Sequence, residues 1–243
     1  MADFEQTFWA DSTYAATYRD NADNFIVERQ THFAILRSFF REFVGTGRGA
    51  KVLDLGSGDG ILTAHIQSLD PTIQPTLVDG FQEMLDAAHA RLENPTQAIF
   101  INETFDELIR DSSSLGQFDL VMSSFAIHHL DLAGKTGMFR VIFDHLQPGG
   151  AFINIDTVLP DSPGLTDWYY TLYREWIEAR ERLTKLEHSF ADTPDKARYN
   201  PDNKLSNLNA QLAAMRGLGF TDVDCHYRYG IFTIYSGRKP EIK

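Results

Sequence analysis

An α/β chain with a doubly wound, mostly parallel sheet is the fold class this sequence predicts, and three observations carry it. The first is Val52-Leu53-Asp54-Leu55-Gly56-Ser57-Gly58-Asp59-Gly60, where apolar residues with an acid among them run into a stretch in which every second residue is glycine. A helix-compatible segment, residues 61–69, follows at once. This reads as a buried strand turning sharply into a helix, with glycines where the backbone must approach a ligand. The second is a short strand, Thr76-Leu77-Val78, that ends in the acid Asp79 roughly 20 residues past the loop. The third is the recurrence of apolar strands at 98–101, 118–124 and 151–156, with a surface turn at 112–116 before the second and a helix over 131–146 before the third.

Bulk properties set the frame. With 243 residues and 43% apolar content, the chain can bury a sizeable core, as one large domain or as a core with an appended cap. No run of about 18 apolar residues exists, so no membrane span is expected. The first residues have neither a basic nor an apolar leader region. A single cysteine, Cys225, excludes an internal disulfide and a CxxC metal site. A cytoplasmic setting is the expectation. The net charge of −12 and the lack of a basic run disfavour nucleic acid and favour a small-molecule substrate.

The free N–H groups at a helix start point at whatever lies over the turn, so the 52–60 loop suits a nucleotide-like cofactor. A dinucleotide fingerprint would need glycine at 61, which is Ile61; the pattern is D-x-G-x-G-x-G, with Asp54 two residues before Gly56. On these residues the stretch resembles motif I of the class I S-adenosylmethionine-dependent methyltransferases. The resemblance implies that Asp54, Gly56, Ser57, Gly58 and Gly60 hold the methionine end of S-adenosyl-L-methionine, with S-adenosyl-L-homocysteine as product. It further implies a Rossmann-like seven-stranded sheet, last strand antiparallel, in the order 3-2-1-4-5-7-6.

In chain order, residues 1–20 are aromatic and polar, and candidate N-caps at 20–24 introduce a helix running to about Val44. Ile26, Gln30, Phe33, Leu36, Phe40 and Phe43 recur on one face. By the resemblance, residues 1–48 form a helical lid from which Tyr14 and Tyr18 reach cofactor or substrate; packing of the extension onto the core is the plainer alternative. Asp79 is placed to accept from both ribose hydroxyls. Gly80 and Phe81, with Met84, match the segment that flanks the adenine. After the strand at 98–101, Glu103, Thr104 and Phe105 stand where the family carries its adenine-binding acid and neighbours, with Asp106 as a rival to Glu103.

Residues 118–130 resemble the family's motif IV and bring Ser123 and Ser124 to the C-terminal edge of the sheet, where α/β folds bind ligands. Asn/Asp-Pro-Pro-aromatic, found there in base-methylating relatives, is replaced by Ser-Ser-Phe-Ala, which argues against a base substrate. His128 follows, a residue type able to take a proton near neutral pH. In some plant-type O-methyltransferases a histidine at a similar position acts as base, and His129 reads as structural. No third ligand stands at metal spacing, so no metal is expected. A helix over 131–146 stops at Gln147-Pro148-Gly149-Gly150, a turn like the family's before strand five. That strand ends with Asp156 and Thr157 toward the substrate side.

Residues 161–203 read as a helical cap inserted in a core of 49–160 and 204–243. A long helix over 165–188 carries Leu165, Trp168, Tyr169, Leu172, Trp176, Leu183 and Leu186 on or near one face. Trp168, Tyr169, Tyr173 and Trp176 are candidates to line an aromatic pocket; burial against the core or a homodimer partner is the alternative. Residues 191–203 read as a loop, 205–218 as a helix, and the closing hairpin as strands six and seven. The function expected is methylation of a small-molecule oxygen or nitrogen. Rival readings are an S-adenosylmethionine-modifying enzyme such as a carboxy-S-adenosylmethionine synthase, a non-catalytic cofactor-binding protein, and a nicotinamide oxidoreductase, the last disfavoured by Ile61 and Asp54.

Overall fold

The computed structural model describes residues 21–184 and 189–241. Strands β1 (Lys51–Leu55), β2 (Gln74–Asp79), β3 (Ile99–Asn102), β4 (Phe118–Ser124), β5 (Leu146–Thr157), β6 (Thr221–Tyr229) and β7 (Phe232–Arg238) form one sheet. Their order is β3-β2-β1-β4-β5-β7-β6, as the resemblance implied. β1 to β5 are mutually parallel, and β7 runs antiparallel to both β5 and β6. The central strands are apolar without alternation because both faces are covered: Val52, Leu53 and Leu55 are all fully buried.

The helices are α1 (Arg29–Phe43), α2 (Ile61–Gln67), α3 (Gln82–Arg91), α4 (Phe105–Arg110), α5 (Leu132–His145), α6 (Thr166–Thr184), α7 (Thr193–Tyr199) and α8 (Leu208–Leu218). On one face, Leu36 and Phe40 of α1 and Ile66 of α2 pack with Val52, Ile153 and Ile234. On the other, Leu108, Phe139, Ile142 and Met215 from α4, α5 and α8 pack with Leu55, Val121, Phe152 and Tyr235. A third cluster joins Ala22, Phe25 and Ile26 to Tyr170, Tyr173 and Ile177 of α6 and to Phe232, roofing the C-terminal edge of the sheet. No helix among the described residues is long and apolar enough to cross a membrane.

Five expectations change. The N-terminal helix is interrupted, because Glu28 takes a left-handed conformation (φ 51°) and α1 starts only after it. That helix buries Phe39 and leaves Gln30 and Phe43 exposed, and it covers the sheet as a core layer. The 191–203 segment is loop only at its ends: residues 193–199 form α7, with Pro194 in its first turn and an Asp192–Lys196 pair at 2.7 Å along it. The Pro-Gly-Gly turn lies within β5, whose pairing with β4 jumps from Phe118↔Leu146 to Leu120↔Ala151. On α6 the buried stripe is Tyr170, Tyr173 and Ile177, while Leu165, Trp168 and Leu183 are exposed at 40%, 54% and 82%; Leu186 lies outside the described residues. The shift follows from what the helix packs on, the 22–27 segment and Phe232, which its own periodicity does not encode.

Candidate active site

Gly56, Gly58 and Gly60 all take left-handed φ, 62°, 51° and 72°, which side chains disfavour. Each also answers a different need. A Cβ on Gly56 would stand 2.3 Å from the Ala126 Cβ and 3.1 Å from the Phe105 ring, so β4's continuation and α4 close directly on the loop. A Cβ on Gly60 would meet Ala88 and Leu77 at 3.0 and 3.2 Å, so here the requirement is helix–sheet packing. A Cβ on Gly58 would meet nothing within 4 Å. Gly58 is the point where the backbone faces open space.

The loop is tied down from β2. Ser57 N donates to Val78 O at 3.0 Å. The Asp79 carboxylate accepts from Gly58 N at 2.8 Å and from Phe81 N at 2.9 Å, one on each oxygen. Ser57 Oγ is enclosed and has no hydrogen-bond partner. Asp54 is buried and accepts from Thr63 Oγ1 at 2.7 Å, bracing α2 against β1. Burial pushes the Asp54 carboxyl up to about 7, against the Thr63 hydrogen bonds and with help from the charges of Asp79 and Asp59. Burial raises Asp79 as well, partly offset by its two N–H donors. Asp59 is paired with Arg91, which also donates to its carbonyl. With Asp59 already paired to Arg91, the buried carboxyls of Asp54 and Asp79 beside the loop suit a ligand that brings positive charge better than a pyrophosphate. S-adenosylmethionine, with an ammonium and a sulfonium, fits those carboxylate acceptors; the open side of Gly58 and the orphaned Ser57 hydroxyl fit it too.

Other predicted cofactor residues divide by whether their polar atoms are already engaged. Thr104 caps α4, its hydroxyl and N–H both bonded to Glu107. Glu103 accepts from Ser114 Oγ at 2.9 Å. Phe105 lies against the glycine loop, and Gly80 and Phe81 follow Asp79 at half-buried positions. Ser123 is fully buried and donates to Leu55 O at 2.7 Å, so it ties β4 to β1; Ser124 is half-buried at the strand end. Phe125 then takes φ 50°, a conformation costly for an aromatic residue and held here by its N–H bond to Ile155 O.

His128 is buried with its Nδ1 2.6 Å from Asp156 Oδ1. Asp156 also accepts from Thr157 N at 2.9 Å and from Asn154 Nδ2 at 3.3 Å. Burial works to raise the Asp156 carboxyl, but the charge and hydrogen bond of His128, the Thr157 N–H and the Lys135 charge outweigh it and hold the group below its ordinary range. An ionised Asp156 makes Nδ1 of His128 the donor, which leaves Nε2, with no partner among the described residues, as the basic nitrogen. Asn154 Nδ2 donates on to Tyr235 Oη at 2.7 Å, and Tyr235 donates to Gln211 Oε1 at 2.7 Å. Asn154, Tyr235 and Gln211 are all buried, so the chain of bonds runs from the site into α8. His129 donates from Nδ1 to Asp202 O at 3.0 Å and is held neutral, burial and the neighbouring His128 pushing it down to about 3. Lys135 is fully buried, and its amine donates to the carbonyls of Leu130, Lys204 and His128. It staples the histidine turn to the 204 segment.

Sequence reasoning placed Asp156 at the substrate side without joining it to His128, and it missed Asn154, Tyr235 and Lys135. A signal was present: Asn154 and Asp156 are polar residues two apart in an otherwise apolar strand, hence on one buried face. Of the lid residues, Tyr14 and Tyr18 lie outside the described residues. Trp168 is exposed, Tyr169 lies under the Arg228 guanidinium at 5.3 Å, and Tyr173 packs edge-on to Phe232 at 4.8 Å. Trp176 donates from Nε1 to Glu28 at 3.2 Å, joining α6 to the start of α1.

Residues 52–150 match the family model described as a methyltransferase domain. A demethylmenaquinone methyltransferase from Leptospira interrogans is 27% identical over 186 residues, covering 72% of each chain. Among solved structures, an O-methyltransferase family protein from Burkholderia thailandensis superposes with a TM-score of 0.69 at 16% identity, covering 100% of this chain and 65% of that one. Magnesium protoporphyrin IX methyltransferase from Synechocystis, solved with S-adenosylhomocysteine, gives 0.63 at 13% identity over 95% and 96%. The chain thus spans a little under two thirds of the first of these structures. Residues 52–150 thus match a methyltransferase domain in sequence, and the sheet order and the glycine loop around them agree with that match.

Proposed function

We propose that the chain methylates an oxygen on a small, hydroxylated aromatic acceptor, with His128 as general base. The observation that carries this is the His128–Asp156 pair at 2.6 Å, at the C-terminal ends of β4 and β5 and two residues on from Ala126, which closes on Gly56. The cofactor supplies an electrophilic methyl group whose bonding pair stays with sulfur on transfer. The chain's own part is to align the acceptor, exclude water and take one proton. In this reading Nε2 of His128 takes the acceptor's hydroxyl proton while Asp156, held by Thr157 and Asn154, stabilises the imidazolium that results. Asp79 accepts from the ribose hydroxyls with the lone pairs that Gly58 and Phe81 leave over. Ser57, Gly80, Phe81 and Phe105 border the cofactor, with Glu103 on its adenine side, and α6 roofs the acceptor.

A second reading keeps the base and moves the methyl group to a ring carbon activated by the ionised hydroxyl. The likeness to a demethylmenaquinone methyltransferase favours it. Labelled methyl transfer into a panel of hydroxylated aromatics tests both readings, and mass spectrometry of the product separates O- from C-methylation. His128→Ala and Asp156→Asn should each lower turnover by about 10²–10⁴ with S-adenosylhomocysteine affinity unchanged. Full turnover in His128→Ala would remove it as the base.

A further inference from the structure

On the opposite face of the sheet from Asp156 lies a second polar group that the methyl-transfer chemistry leaves unused. Tyr227 of β6 is in register with Ile234, Ile234 with Ile155, and Ile155 with Ser124, so one row of side chains crosses from β6 to the end of β4. His32 of α1 packs over this row, 5.2 Å from the Tyr227 ring and 6.2 Å from the strained Phe125. Both ring nitrogens of His32 and the Tyr227 hydroxyl are enclosed and have no hydrogen-bond partner, and His32 is 1% exposed. Buried donors and acceptors are ordinarily satisfied, and three orphans at one spot ask for a molecule that satisfies them.

We infer that His32 and Tyr227 form the polar end of the acceptor pocket and bind an uncharged hydroxyl or carbonyl on an aromatic ring. This rests on the methyltransferase reading of the adjoining loop. Position supports it: Phe125 separates His32 from Ala126, whose Cβ lies on Gly56, and Phe232 closes the other side of Phe125 at 6.1 Å. Charge supports it as well. Arg29, the nearest cation along α1, is held by Asp23 at 2.9 Å and lies over the Phe33 ring, and Glu28 accepts from Trp176. Burial, with the Arg29 charge, pushes His32 down to about 4, and burial with the Glu28 and Tyr229 charges pushes Tyr227 up to about 12. At neutral pH each is an uncharged group that both donates and accepts. Such a site matches a neutral polar group and offers an anion no counter-charge.

The test titrates 1-naphthol, naphthalene and 1-naphthoate by calorimetry into the full chain saturated with S-adenosylhomocysteine. The expected order places 1-naphthol about tenfold or more ahead of both others, since a site built to bond a hydroxyl rejects the analogue that lacks it. Tyr227→Phe and His32→Phe should each abolish most of that preference while S-adenosylhomocysteine binds as before. Tyr227→Phe, which deletes one orphaned hydroxyl, should keep or raise the thermal midpoint of the ligand-free chain. Equal binding of 1-naphthol and naphthalene, tighter binding of 1-naphthoate, no saturable binding of any probe, or an unchanged preference in both variants overturns the inference. Failure of the wild-type chain to bind S-adenosylhomocysteine would instead strike the methyltransferase reading itself.

Discussion

Asp54→Asn isolates the electrostatic design of the glycine loop. In the folded chain burial pushes the Asp54 carboxyl from 3.8 up to about 7. The folded state therefore holds the proton more tightly than the unfolded state, and stability falls as pH rises through this window. Across the whole window the penalty for ionising Asp54 amounts to roughly 4 kcal/mol. Between about pH 5 and about pH 8 the part that develops is about 2–3 kcal/mol, because at the lower pH the unfolded chain is already ionised while the folded chain is not. Asparagine keeps an oxygen for the Thr63 hydroxyl and cannot ionise, so the variant escapes the penalty. His32 and His129, held neutral at about 4 and about 3, bias stability the opposite way as pH falls below 6.5, but they do so equally in both proteins. Urea unfolding of the ligand-free chains across that range should show the variant gaining on wild type by about 2–3 kcal/mol toward alkaline pH. A difference that stays constant, or that shrinks as pH rises, refutes the reasoning.

The loop glycines should separate by mechanism. Gly58→Ala meets open space and should lose only about 1–2 kcal/mol of stability from its left-handed φ, with a larger loss of S-adenosylhomocysteine affinity by calorimetry. Gly56→Ala collides with Ala126 and should unfold at markedly lower urea. Asp79→Ala should weaken cofactor binding by about 1.5–3 kcal/mol, and unchanged affinity in titration would show that it serves only to tie the loop to β2. Lys135→Met strands three carbonyls and should cost about 3 kcal/mol or more in chemical unfolding; a neutral result would mean that water replaces the amine.

Much of the fold was legible because its signals are local. The glycine loop needs left-handed backbone at 56, 58 and 60, and only glycine adopts it cheaply, so the strand–turn–helix could be read from nine consecutive residues. Consecutive apolar residues, rather than an alternation, in β1 (Val52-Leu53) and β4 (Leu120-Val121-Met122) fit a sheet covered on both faces. Sheet order, by contrast, came with the resemblance, since nothing in one strand's sequence names its neighbour.

What the sequence by itself determined is therefore the glycine loop, the acid Asp79 at the end of β2 and the position of His128 after β4. Tertiary structure alone decided what those residues are paired with. Asp156 meets His128 from 28 positions away, Asn154 meets Tyr235 from 81, and His32 reaches Tyr227 only because α1 is laid over the far edge of the sheet. Likewise α6 buries Tyr170 and Tyr173 and exposes Trp168 because of what it is packed upon. Backbone conformation and burial pattern are written in adjacent residues, whereas side-chain partnership depends on chain crossings that local sequence does not specify.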